Sequence, residues 1–194
     1  MGRKYNSANR RKAAERTRQG ILRAALKLHW EGITEYEPLA REAGFSVATV
    51  RKHFPTRESL FQNCTRTFAE SLTLPDLDAI GEITDRERRI EAAVSELCRI
   101  HEAMFGYAWL GAQQRQHSPT LDGEMAAYEG LADAVAALVA SEDASKSALI
   151  RGLLDFLTYR ALRLSGGLSP PQASEELIAT VKTLNSAGGK QPAH

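Results

Sequence analysis

The stretch Ser46-Val47-Ala48-Thr49-Val50-Arg51-Lys52-His53 sets small side chains beside a run of hydrogen-bond donors. Arg51, Lys52 and His53 can donate to phosphate oxygens. Ala48 and Thr49 are small enough to approach base edges. Two of these donors also have a plainer reading. Lys52 fits a solvated helix face equally well, and His53 fits a half-buried packing position.

That chemistry needs a short helix to carry it. Ser46 can cap such a helix, and Pro55 stops it after Phe54. A second short helix precedes it over 34–43, with Leu39, Ala40 and Ala43 on its buried side and Gly44 at its end. Thr34 with Glu37 three residues on predicts a capping box, and Pro38 is tolerable in the first turn. Ala40 and Ala43 let the two helices cross closely over the Gly44-Phe45-Ser46 turn. This is the build of a helix-turn-helix, whose second helix lies in the major groove.

Helices are expected on either side. Ile21, Leu22, Ala25, Leu26 and Leu28 recur at helical spacing within 13–31. Thr56 caps a fourth helix with Glu58 in its first turn, where the macrodipole favours a carboxylate. Leu60, Phe61, Cys64, Phe68 and Leu72 line one face of it. Composition points the same way, since 29 alanines and 22 leucines stand against 6 valines and 8 isoleucines. Straight-chain and small residues suit helices, and β-branched ones suit strands, so the chain is read as all-α.

The net charge of +1 hides a division. Residues 1–70 hold 14 Lys/Arg against 7 Asp/Glu, and residues 71–194 hold 11 against 17. A basic end suggests contact with a polyanion there. Arg10, Arg11 and Lys12, in a polar aperiodic segment read as a flexible arm, either reach DNA or only solvate the terminus. No apolar run approaches the ~18 residues of a membrane span, and no signal-peptide core is evident, so a cytoplasmic protein is expected. Two cysteines give no disulfide framework.

Residues 73–84 read as a connector, and Thr84 with Glu87 predicts a second capping box. Later helices are expected over 84–105, 107–114, 118–138, 148–164 and 169–186. Residues Phe61, Cys64, Phe68, Cys98, His101, Met104, Phe105, Trp109, Gln113, Met125 and Tyr128 combine apolar walls with a few polar groups, the general form of a small-molecule site. The same stripe is also what plain core looks like. Cys98 and His101 alone make no metal site. Leu149, Leu153, Phe156, Leu157, Leu177, Ile178, Val181 and Leu184 exceed what one small bundle easily hides. They either form a two-fold interface or fold back on their own chain.

The segment Leu39-Ala40-Arg41-Glu42-Ala43-Gly44-Phe45-Ser46, then Thr49-Val50, then His53-Phe54-Pro55-Thr56-Arg57-Glu58-Ser59-Leu60 resembles the N-terminal domain of TetR-family transcriptional regulators. The family pattern is roughly I-A-x-x-A-G-V-S-x-x-T-L-Y-x-H-F-x-x-K-x-x-L. The resemblance spans residues 13–65. It implies a homodimer on a palindromic double-stranded operator, usually a repressor that a small ligand releases from DNA. By position, Val47, Ala48 and Thr49 would face base edges, with Ser46 at the same helix start. Arg51, His53 and Arg57 would contact phosphate, Thr34 and Tyr36 would touch backbone, and Glu37 would approach the groove. Arg51 stands where the family has tyrosine, and Arg57 where it has lysine. The loop between Gly32 and Leu39 is about two residues shorter than usual. Glu37 is read either as a cytosine reader or as part of the cap.

The resulting organisation has about nine helices. Residues 1–12 are a flexible basic arm, 13–55 a helix-turn-helix DNA-binding domain of three helices, and 56–72 a connecting helix. Residues 73–186 form a larger helical ligand-binding and dimerisation domain, and 187–194 a disordered tail. No Gly-rich phosphate loop, nucleophile elbow or cofactor motif points to an enzyme. The competing reading is a DNA-binding regulator that is ligand-independent or controlled by a protein partner.

Overall fold

The computed structural model describes residues 3–186. Among them there are eleven α-helices, one 3-10 turn and no strand, as an all-α reading requires. In chain order the helices are α1 (Arg3–Trp30), α2 (Tyr36–Ala43), α3 (Val47–His53), α4 (Arg57–Ala69), α5 (Leu77–Gly81) and α6 (Arg86–Ala103). They continue as α7 (Phe105–Gln114), α8 (Pro119–Leu138), α9 (Ala144–Leu153), α10 (Phe156–Leu164) and α11 (Pro170–Ser186), with the 3-10 turn Arg115–His117 between α7 and α8. Two helices more than expected have simple origins. The 73–84 connector contains α5, whose Asp76 cap accepts from the Ala79 amide at 3.0 Å. The apolar run expected as one helix over 148–164 breaks after Leu154, because Asp155 caps a new helix by accepting from the Leu157 amide at 2.8 Å.

The chain divides into two compact units. The first holds the chain up to Leu72 together with Trp109–Glu124, so the 109–124 segment leaves the larger domain in which the sequence put it. Its core comprises Ile21, Ala25 and Leu28 of α1, Leu39 and Ala40 of α2, Val50 of α3, Phe54, and Leu60 and Cys64 of α4. Burying each large apolar side chain contributes roughly 1.5–3 kcal/mol, enough together to fix three short helices that would not persist alone. A separate small cluster joins Phe61, Leu110 and Leu121.

Two N-terminal expectations are corrected. The flexible arm gives way to helix from Arg3 onward, as α1 runs continuously to Trp30. Met1, Gly2 and the tail 187–194 lie outside the described residues. The Thr34–Glu37 capping box does not form. Helix α2 starts at Tyr36 after Glu35, with no side-chain cap, and the Glu35 carboxylate accepts instead from the Thr34 amide at 3.1 Å.

The second unit holds Thr73–Ala108 and the chain from Met125 onward. Ile90, Ala93, Val94 and Leu97 of α6 pack with Val135 of α8, Ile150 of α9 and Ala173, Leu177 and Val181 of α11. Asp85, not Thr84, caps α6, accepting from the Arg88 amide at 3.1 Å. Aspartate competes well for this position because its carboxylate also meets the positive end of the helix dipole.

Candidate nucleic-acid interface

The turn between α2 and α3 is closed by backbone bonds. Gly44 adopts φ 72°, a left-handed conformation that favours glycine. Its amide donates to the Arg41 carbonyl at 3.2 Å, and the Phe45 amide donates to the Ala40 carbonyl at 2.9 Å. This is a Schellman ending, and it satisfies the last carbonyls of α2. Ser46 then caps α3. Its hydroxyl oxygen accepts from the Thr49 amide at 3.1 Å and lies 2.9 Å from the Thr49 hydroxyl. The Ser46 cap expected from sequence is therefore present, and so is the Thr56 cap of α4, which accepts from the Ser59 amide at 3.0 Å.

Helix α3 leaves one face open. Ser46, Ala48, Arg51 and Lys52 are exposed, while Val47, Thr49 and His53 are half-buried and Val50 is fully buried. The donors and the small residues therefore share a helix whose other side is sealed into the core. Thr49 spends its hydroxyl on the Ser46 contact, which orients it at the start of the helix.

Around α3 the assignments separate. Glu37 is exposed, and no cap engages it. Tyr36 is half-buried, and its hydroxyl donates to the Phe54 carbonyl at 2.9 Å, pinning the start of α2 to the end of α3. Burial pushes the Tyr36 phenol up, so it remains a donor. The Arg51 guanidinium lies 5.3 Å from the Tyr36 ring centre, close enough for a cation–π contact. Thr34 is only 5% exposed and does not stand on the surface as the resemblance implied. Its hydroxyl accepts instead from Arg57 at 2.5 Å. Arg57 also reaches the Gln114 side chain at 3.5 Å and lies 5.8 Å from the Phe61 ring centre. Arg10, Arg11 and Lys12 are exposed along α1.

Beside Arg57, sequence reasoning missed a polar cluster. Glu58 accepts from the Ser118 hydroxyl at 2.6 Å, the Thr120 amide at 2.8 Å and the Thr120 hydroxyl at 2.5 Å. Burial alone would push the Glu58 carboxyl up, but these bonds outweigh it and hold the group below its ordinary value. The only local signal was Ser118-Pro119 as a helix start; the partner lies sixty residues away. His29 is buried against Phe61, at 5.2 Å between ring centres, and burial together with the Arg57 charge pushes its pKa down to about 4.

The residues proposed to line a ligand site fall into both units. Phe61 and Cys64 are buried in the first, Phe68 and Trp109 are half-buried there, and Gln113 is exposed. Burial pushes the Cys64 thiol up to about 12 and the Cys98 thiol up to about 11, so both are neutral. In the second unit, Cys98, His101, Met125 and Tyr128 are buried, and Met104 and Phe105 are half-buried. His101 is the centre of this group. Its Nε2 faces the Leu154 carbonyl at 3.1 Å, which can only accept, so Nε2 carries the proton and Nδ1 accepts from the Tyr128 hydroxyl. The rings of Tyr159 and Phe156 pack at 5.2 and 6.0 Å from His101. Below them, Glu102 accepts from Tyr159 at 2.9 Å and pairs with Arg163 at 3.0 Å. Among the described residues, no three His, Cys, Asp or Glu side chains group as metal ligands would.

The residues proposed for a two-fold interface also divide. Leu177 and Val181 are buried in the core of their own unit, and Phe156 is buried against His101, Phe105 and Tyr128, so these three are covered within their own chain. Leu153, Ile178 and Leu184 are partly buried against that core. Leu149 and Leu157 stand 51% and 53% exposed, and Leu164, one helical repeat beyond Leu157, is 59% exposed. The i, i+7 spacing from Leu157 was the signal for Leu164. Among the described residues no helix is long and apolar enough to cross a membrane.

No protein-family model matches the sequence, and no curated protein matches it. Solved structures do match. A transcriptional regulator from Rhodococcus sp. is 22% identical with a TM-score of 0.57, and the match covers 92% of this chain and 99% of that one. A TetR transcription regulator from Haloarcula marismortui is 15% identical with a TM-score of 0.56, over 89% of this chain and 98% of that one. The chain thus has the all-α fold of such regulators, a helix-turn-helix followed by a larger helical body.

Proposed function

We propose that this chain is a TetR-family transcriptional regulator that binds a palindromic DNA operator as a homodimer, and that it is a repressor released by a small apolar or amphipathic ligand. The observation that carries the reading is α3 itself. It is a capped helix sealed on one side into a core shared with α1, α2 and α4, with Ala48, Arg51 and Lys52 on its open side. That is the form of a groove-reading helix. The 14 basic against 7 acidic residues of the first seventy supply the attraction to phosphate. Fold likeness to known regulators supports the same class.

The dimer reading is supported by Leu149, Leu157 and Leu164, three large apolar side chains left more than half exposed. A two-fold operator calls for a two-fold protein. One observation favours the ligand-independent alternative. His101, Tyr128 and Tyr159 spend their polar atoms on each other, on Leu154 and on Glu102, so they offer a ligand no free group.

The test is selection of duplexes from a random pool, then fluorescence anisotropy over a salt series with the selected and a scrambled duplex. A selected duplex with inverted repeats, bound far more tightly than the scrambled one, is the expected result. Equal, weak and salt-sensitive binding to both would refute sequence-specific regulation. A thermal-shift screen then separates the two control readings, because a ligand that binds the native state raises the melting temperature.

A further inference from the structure

The first turn of α4 is gripped at two consecutive residues within one compact unit. Arg57 ties it to Thr34, in the loop that leads into α2. Glu58 ties it to the start of α8 through three bonds, from the Ser118 hydroxyl, the Thr120 amide and the Thr120 hydroxyl. The start of α8 needs such help. Pro119 has no amide proton, the Ser118 hydroxyl oxygen already serves the Leu121 amide at 3.2 Å, and the Thr120 amide has no partner within its own helix. A carboxylate answers both needs at once. It accepts several bonds, and it sits where a helix dipole favours negative charge. Exposed ion pairs contribute little, but this carboxylate is half-buried and triply bonded.

We propose that Glu58 is a positioning residue for DNA binding. It fixes the first turn of α4 to the start of α8, and through Arg57–Thr34 and Tyr36–Phe54 that turn sets where α2 and α3 stand. The proposal rests on the DNA-binding reading above, and it adds a residue that holds the helix-turn-helix in place for that binding.

Two variants of the full-length protein test it from opposite ends. Glu58→Ala removes the acceptor; Thr120→Val removes one donor without touching α4. Both are measured by anisotropy against the duplex the wild type selects, at a temperature where circular dichroism shows every variant folded. Glu58→Ala should weaken binding about ten-fold and Thr120→Val about five-fold, within the usual range of coupling between sites. The double variant should be no weaker than Glu58→Ala alone, since both remove one interaction. The slope of affinity against salt should not change, because no phosphate contact is lost. Glu58→Gln, which keeps one oxygen for Thr120, should recover part of the affinity. If both variants melt earlier yet bind within two-fold of wild type, Glu58 only stabilises the fold and the proposal is overturned. If the wild type itself selects no duplex, the DNA-binding reading falls first, an outcome distinct from normal binding by the variants.

Discussion

Lowering the pH should destabilise the second unit through one imidazole. His101 is 1% exposed, its ring is enclosed by Tyr128, Phe156 and Tyr159, and both nitrogens are engaged in the neutral form. Protonating Nδ1 would end the bond it accepts from the Tyr128 hydroxyl and bury a charge. Burial therefore pushes His101 down from 6.5 to about 4; the Leu154 carbonyl and Asp155 oppose this and Arg151 adds to it. Between those two values the unfolded chain takes a proton that the folded chain excludes. Stability is fully present above about pH 6.5 and falls as the pH drops toward 4, where the loss levels off. At about 1.4 kcal/mol per pH unit, the drop amounts to about 3 kcal/mol. Urea unfolding from pH 7.5 to 4, read by near-ultraviolet circular dichroism from the buried tyrosines, gives the curve. Nuclear magnetic resonance of the His101 Cε1 proton gives the folded pKa directly. A ring that titrates between 6 and 7, or stability flat across the window, would refute the reasoning. His29 is pushed down to about 4 by burial and then by Arg57, so the first unit should lose stability over the same window and in the same direction.

Tyr128→Phe leaves His101 Nδ1 buried without a donor and should cost roughly 1–3 kcal/mol in urea unfolding at neutral pH. Unchanged stability would mean that the pair contributes nothing. Leu157→Glu places a carboxylate on the exposed apolar row of α10 and should turn the proposed dimer into monomer by light scattering. A dimer that survives moves the interface elsewhere. Arg51→Ala should weaken binding to every duplex and lower the salt slope by about one per half-site. An unchanged slope would show that the Tyr36 contact keeps Arg51 off phosphate.

The helix-turn-helix was legible because each of its features is local. Gly44 ends α2, Ser46 caps α3, Pro55 stops it and Thr56 caps α4, all within a dozen residues. Ala40, Val50 and Phe54 fall on the buried side for the same reason. Misreadings were also local in kind. Thr34 looked like a cap because its spacing to Glu37 fits one, but Arg57 of another helix claims its hydroxyl. A single helix over 148–164 looked continuous because its apolar residues stay in register, whereas Asp155 offers the backbone a competing capped start.

The amino-acid sequence by itself thus determined the all-α class, the two short helices and their tight turn, and the donors set along α3. These follow from propensity, capping and periodicity, which act over a few residues. Only the tertiary structure decided which apolar residues of α9 to α11 are core and which are open, that His101 is locked neutral, and that Glu58 caps α8. Those outcomes depend on which side chains arrive from far along the chain, Tyr128 to His101 from 27 residues away and Ser118 to Glu58 from 60, and no local spacing encodes that meeting.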